Sequence, residues 1–273
     1  MADASCQDEF RGFARLKLFW ALSRTPHGLL DMCTAALAAL LWLDYFPSIK
    51  IIGLGLITVF AGYTAVYALN DVIGYRSDKM KLQMGKLREI DDCKDLDAMF
   101  VRYPMARGLL QFKEGLIWAV AWALLALIGA YLLNPVCVLI FVGGCILETV
   151  YCLMWNVSPS RALLSGVVKA AGPIAAVFAV DPNPSPSYLV VLFFIFGSII
   201  LTVILSGLLL ILSTAVFKLP FIIAYAFVGF YFLLLPTIKL YHTEENSHAM
   251  ILFNKASYYP LALLVLIAVK AIK

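Results

Sequence analysis

The chain has 273 residues, 63% of them hydrophobic and 14% charged, with a mean hydropathy of +0.91. An ordinary soluble domain is roughly 45–50% apolar, and a fold of this size could not hide so much apolar surface from water, so a soluble protein is excluded. The net charge of +4 gives no basis for a nucleic-acid partner. Six cysteines without a CxxC pair argue for buried thiols, with neither a disulfide framework nor a zinc site.

The first residues, MADASCQDEFRG, have no basic region leading into a short apolar core, so no cleaved signal is expected. Residues 9–23, EFRGFARLKLFWALS, set basic residues among Phe and Leu at helical spacing. They predict a helix on the membrane surface within an N-terminal interfacial segment, 1–26, that ends near RTPHG. Spans of about 20 apolar residues follow, at 28–46, 51–69, 116–133, 136–155, 162–180, 188–217, 220–238 and 257–272. The expected fold is all-α, a single membrane domain over 1–273, with eight to nine transmembrane helices.

Nine Lys and Arg residues lie in 70–115, whereas 132–136 and 181–187 contain none. The positive-inside rule therefore puts 70–115, a cytoplasmic loop, and the N-terminus on the inner side of the cell's inner or plasma membrane. The stretch 188–217 is 30 residues without a charge. As one helix it would be about 45 Å long against roughly 30 Å of hydrocarbon. It looks like two spans joined without their polar linker.

The sequence YALNDVIGYRSDKM, 67–80, stands where the second span meets the charged stretch. A polar side chain at the end of a span is costly unless it lines a polar cavity. On a helix, Asn70, Asp71, Gly74 and Asp78 share one side, because offsets of three, four and seven return to the same face. Carboxylates in such a row can hold Mg²⁺, which takes a few carboxylates, waters and substrate phosphate oxygens. That pattern points to an enzyme that ionises a diphosphate at the membrane.

Residues 70–78 read N-D-V-I-G-Y-R-S-D and resemble the first signature, N-D-x-x-D-x-x-x-D, of the UbiA-type intramembrane prenyltransferases. Gly74 stands at the middle aspartate. VYCLMWNVSPSRALLSGVVKAAGPIAAVFAV, 150–180, resembles the family's fourth-to-fifth helix region. The resemblance implies nine helices around a central cavity. It also implies Mg²⁺-dependent transfer of a prenyl group from an isoprenyl diphosphate to a small, often aromatic, acceptor within the lipid bilayer. Asn70, Asp71 and Asp78 would be metal ligands, the two aspartates catalytic. Asn70, Arg161, Lys169 and Tyr151 would bind diphosphate, with Arg76 and Lys79 as further basic candidates. The family's second aspartate motif should lie between helices six and seven, yet residues 182–243 contain no Asp or Glu. Either a linker near Phe194–Gly197 is missing, or this is a homologue with half a metal site. In the second case the chain would be an inactive relative that keeps the lipid cavity as a binding or scaffold protein.

Other features have plainer readings. Lys169 lies mid-span, with Glu148 as its candidate ion-pair partner. DDCKD, 91–95, and HTEENSH, 242–248, read as solvated polar loops. The aromatics of the spans, Tyr63, Tyr67, Trp118, Trp122 and Tyr151, read as packing or interface belts rather than cation shields. Gly74 reads as damage to the metal site, since Asp71 and Asp78 lie about 10 Å apart along a helix axis. On that reading an aspartate at 74 should tighten Mg²⁺-dependent diphosphate binding.

Overall fold

The structure is a computed structural model and describes residues 12–84, 99–154, 161–187, 189–190, 219–243 and 246–272. Among these residues every regular element is helical and there is no strand. The order is α1 (Phe13–Leu22), α2 (Thr25–Leu43), α3 (Ile49–Gln83), α4 (Phe112–Leu133), α5 (Pro135–Leu153), α6 (Arg161–Val180) and α7 (Leu219–Gly229). A π-helical turn, Phe230–Leu234, joins α7 to α8 (Leu235–Thr243), and α9 (Asn246–Ala271) follows. Among the described residues five segments are long and apolar enough to cross a membrane: α2, α3, α4, α5 and Pro220–Leu240.

Local chemistry sets several helix ends. Ser48 accepts from the Ile51 amide and starts α3, and Gln111 with Glu114 forms a capping box at the start of α4. Asn134 caps α5 ahead of Pro135 by accepting from the Val136 amide, while its own amide donates to the Phe178 carbonyl of α6 at 2.9 Å. One residue thereby starts a helix and ties it to a neighbour.

Three expectations change. The second span does not give way to a loop at 70, because α3 runs on to Gln83, 35 residues in all. At 1.5 Å per residue it is about 52 Å long, so its polar third projects beyond roughly 30 Å of hydrocarbon. Charge ended the apolar span there, but nothing in 70–83 breaks a helix, and Asp71, Val72 and Asp78 are buried by neighbours. The N-terminal helix does not simply lie on the membrane. Leu18 and Leu22 of α1 are buried with Ala68, Val72, Met105, Leu110 and Ala119, so α1 and residues 99–111 are docked on α3 and α4. Finally, the last helix begins at Asn246 rather than near 257, so HTEENSH is largely helical, with 244–245 outside the described residues. DDCKD and most of 188–217 also lie outside them.

Trp118 and Trp122 do pack as expected. Phe19, Trp20, Phe60 and the two tryptophans form an aromatic cluster between α1, α3 and α4, and Trp118 Nε1 donates to Ser23 Oγ at 2.8 Å. A cavity of about 400 Å³ lies between α2, α3, α4, α5, α6 and the far end of α9. Its wall is almost wholly apolar and rich in small residues, among them Ala35, Ala39, Gly62, Ala171 and Ala175.

Candidate functional site

The polar chemistry gathers on the α2–α3 hairpin, at the end of α3 that carries Asn70 and Asp71. Asp71 is buried, and its Oδ1 accepts from Arg24 Nη2 at 3.1 Å. Arg24 sits in the tight turn before α2 with left-handed backbone, φ 42°. Its guanidinium lies 5.8 Å from the centre of the Tyr103 ring, a cation–π distance. Tyr103 also has left-handed backbone, φ 54°. Two of the three non-glycine residues with positive φ among the described residues thus meet at one point. Bulky residues pay about 1–3 kcal/mol for such backbone, and strain of this kind concentrates at functional sites. Tyr103 lies outside the spans. Burial pushes its phenol above its ordinary value, the Arg24 cation pulls it back, and Asp78 and Asp71 add to the rise.

Asp78 is buried as well and is paired with Lys81 at 2.6 Å. Side chains on a helix lean toward its N-terminus, and Asp78 leans over Gly74. A β-carbon built on Gly74 would lie 3.2 Å from Asp78 Oδ2. The space left by the missing side chain of Gly74 is thus the space beside the Asp78 carboxylate of the next turn.

The remaining sequence candidates divide. The Asn70 amide donates to Glu148 Oε1 on α5 in a short contact. Glu148 thus holds Asn70 instead of pairing with Lys169, which is exposed on α6 and not on the cavity wall, although Val168, Ala171 and Gly172 are. The Lys169 charge still acts on Glu148 from a distance, without a hydrogen bond between them. Tyr151 lies half-buried one turn beyond Glu148. Arg161 begins α6, and its side chain lies outside the described residues. Arg76 and Lys79 are exposed, Lys79 lying 5.8 Å from the Tyr75 ring centre.

Sequence reasoning missed Arg24, Asp31 and Tyr103. Asp31 has an available signal: a carboxylate inside an apolar span is a functional candidate by default. Arg24 has a weaker one, a cation immediately before a span. Tyr103 has none, because only the folded course of 99–111 brings it to Arg24.

Among the described residues no three His, Cys, Asp or Glu side chains form a ready metal cluster. Mg²⁺ does not need one, because it binds through one or two carboxylates together with substrate phosphates and water. Asp71 and an Asp78 turned back over Gly74 suit that mode.

These features define an integral membrane helical protein with an apolar internal cavity and, a few turns along the same helix, a buried acid–base cluster. The sequence profile of the UbiA prenyltransferase family matches residues 32–206, and the chain belongs to that family. No curated protein matches it in sequence. Its fold is similar to a structure solved for digeranylgeranylglyceryl phosphate synthase, with a TM-score of 0.61 and 15% identity, covering 94% of this chain and 98% of that one. It is also similar to a UbiA homologue from Archaeoglobus fulgidus bound to DMAPP and Mg²⁺, with a TM-score of 0.55 and 17% identity over 90% and 99% of the two chains. The same homologue bound to GPP and Mg²⁺ gives 0.56 and 14% over 92% and 99%.

Proposed function

We propose that this protein transfers a prenyl group from an isoprenyl diphosphate to a small acceptor, with the reacting ends meeting beside Asp71 on the cytoplasmic side of the membrane. The observation that carries this reading is the half-buried Arg24–Asp71 pair, with Asp78 turned back over Gly74, on the helix whose deeper turns line an apolar cavity of about 400 Å³. Such a site suits an amphiphile with an anionic head and a hydrocarbon tail. The eight to nine spans expected from hydropathy belong to the same reading, as does the UbiA-type use of Mg²⁺.

Asp71 and Asp78 would hold Mg²⁺, with the Asn70 carbonyl oxygen as a third ligand, because its amide nitrogen is committed to Glu148. The chemistry supplied by the bound cation is neutralisation of the diphosphate as it leaves. Arg24 would exchange Asp71 for phosphate oxygens, offering a planar fork of donors that matches them. Tyr103 and residues 99–111 cover this cluster and limit water at the point where an allylic cation would form. Arg161, Tyr151 and Lys169 remain candidates for further diphosphate contacts, Lys169 only by turning inward from its exposed position. An apolar wall keeps the tail out of contact with polar groups.

The test is calorimetric titration of geranyl diphosphate with Mg²⁺ into the purified protein in nanodiscs, with transfer assayed on the same sample. Binding is expected, and Asp71→Asn is expected to weaken it at least about tenfold, the value of one charged contact. Binding with no transfer to any acceptor would favour the inactive relative that keeps its cavity. No binding at all would remove the reading.

A further inference from the structure

The α2–α3 pair carries more polar chemistry than a diphosphate site uses. Two further rungs cross between the helices beyond Arg24 and Asp71. The Tyr67 hydroxyl donates to Asp31 Oδ2, and the Tyr63 hydroxyl lies 3.4 Å from Thr34 Oγ1. Thr34 spends its own hydrogen on the Asp31 carbonyl at 2.6 Å, so Tyr63 is the donor in the second rung. Tyr63 lines the cavity, and its hydroxyl lies where a β-carbon on Gly172 would come within 2.6 Å. Glycine at 172 is what lets the phenol reach α6. Residues 63, 67 and 71 are spaced one turn apart, so the rungs descend from the acid–base cluster to the cavity in steps of about 6 Å.

Asp31 is the unexplained member. A carboxylate inside a membrane span is expensive and marks function by default. Tyr67 is the one hydrogen-bond donor to its side chain among the described residues, and Asp31 is only half-buried. One carboxylate oxygen is fixed by a phenol, and the other can accept a hydrogen. Along α3 the middle rung stands between Asp71 and the cavity-lining Tyr63, just outside the cavity wall itself.

Resting on prenyl transfer as the reaction, we propose that Asp31 is the base that takes the acceptor's proton, with Tyr67 as its positioning residue, and that the acceptor is a neutral hydroxyl compound, a phenol or alcohol without a carboxylate. The bond between the first prenyl carbon and the diphosphate oxygen breaks, and its electron pair leaves with the diphosphate. The acceptor's hydroxyl oxygen forms the new bond to that carbon. Its proton passes to the free oxygen of Asp31. A carboxylate on the acceptor would face Asp31 across a low-dielectric gap, and like charges there repel strongly.

The experiment uses the full chain in nanodiscs with geranyl diphosphate and Mg²⁺, and two acceptor probes, p-cresol and 4-hydroxybenzoate. The p-cresol geranyl ether is expected to form at least about tenfold faster than any product of the benzoate, since a misplaced charge costs at least that much. Asp31→Asn is expected to leave donor affinity within about threefold and lower kcat about 100-fold, the scale of a lost general base, with loss of the acid limb of the pH–rate profile. Tyr67→Phe, which keeps the ring and its packing, is expected to lower kcat by about tenfold and shift that limb. The proposal is overturned if Asp31→Asn keeps more than about a third of kcat, if the benzoate is used faster, or if a protein that binds the donor makes no cresyl ether. Failure of the unmodified protein to bind geranyl diphosphate would instead remove the prenyl-transfer reading, and this one with it.

Discussion

Replacing Arg24 with Gln should cost more stability than its position at a helix end suggests. Its partner Asp71 has a side chain only 6% exposed, whereas that of Arg24 is 32% exposed. Removing the cation takes a counter-charge away from a buried carboxylate, a loss of about 3–5 kcal/mol for a fully buried pair. Partial exposure of Arg24 places the expected cost near the lower end, about 3 kcal/mol. Asp71→Asn removes the charge and keeps a hydrogen-bond acceptor, so it should cost only about 1 kcal/mol. In the double variant no buried charge is orphaned, and its cost should fall about 2 kcal/mol short of the sum of the two single changes. Equilibrium unfolding in mixed micelles measures all three. Donor binding separates structure from function: the double variant recovers stability relative to Arg24→Gln but should still bind geranyl diphosphate about 10–100-fold more weakly than the unmodified protein, the range of a charge-assisted contact. Additive costs, or Arg24→Gln as stable as the parent, would refute the idea that Arg24 neutralises Asp71.

Gly74→Ala should raise helix stability by as much as about 1 kcal/mol, yet weaken Mg²⁺-dependent diphosphate binding. The added carbon would lie 3.2 Å from Asp78 Oδ2, so that carboxylate must give way by a few tenths of an ångström, enough to disturb a metal ligand. Gly74→Asp should not tighten binding as the bare sequence suggests, because the new carboxylate competes with Asp78 for the same space; unchanged or improved calorimetry in both variants would refute this crowding. For Tyr103 the sign follows from its raised phenol. The unfolded chain loses this proton near pH 10 while the folded chain still holds it, so stability is full below that pH and declines as pH rises through the folded value. Tyr103→Phe should flatten that alkaline decline, and an identical decline in both proteins would count against the burial of Tyr103.

Hydropathy made the helical membrane class legible because it sums over about 20 residues and needs no partner. Asn70 and Asp71 were legible for a related reason: polar residues at the end of a greasy run stand out against it. The meaning of Gly74 was not legible. Whether a glycine removes a ligand or makes room for one depends on which way Asp78 leans, and only the built helix shows it over the gap. The partner of Glu148 was equally hidden. Lys169 offered the obvious opposite charge and does act on Glu148 from a distance, but the direct hydrogen bond comes from the Asn70 amide on another helix.

The three rungs show the same limit and suggest how it can be narrowed. Along α2 the partners advance from Arg24 to Asp31 to Thr34, while along α3 they retreat from Asp71 to Tyr67 to Tyr63. This is the pairing that two antiparallel helices joined by the short connection 44–48 must produce, since neighbouring turns of about 5.4 Å pass each other in opposite order. Once Asn70 and Asp71 had been singled out, folding the first two spans back on each other in the sequence would have set a carboxylate, Asp31, opposite a tyrosine one turn deeper. What sequence cannot supply is the rotation of each helix about its own axis. A quarter-turn error would send Asp31 to lipid and leave Tyr67 against apolar neighbours, so the hydrogen bond between them fixes that rotation. The same bond that orients Asp31 for the proposed proton transfer therefore also holds the Arg24 end of α2 in register with α3.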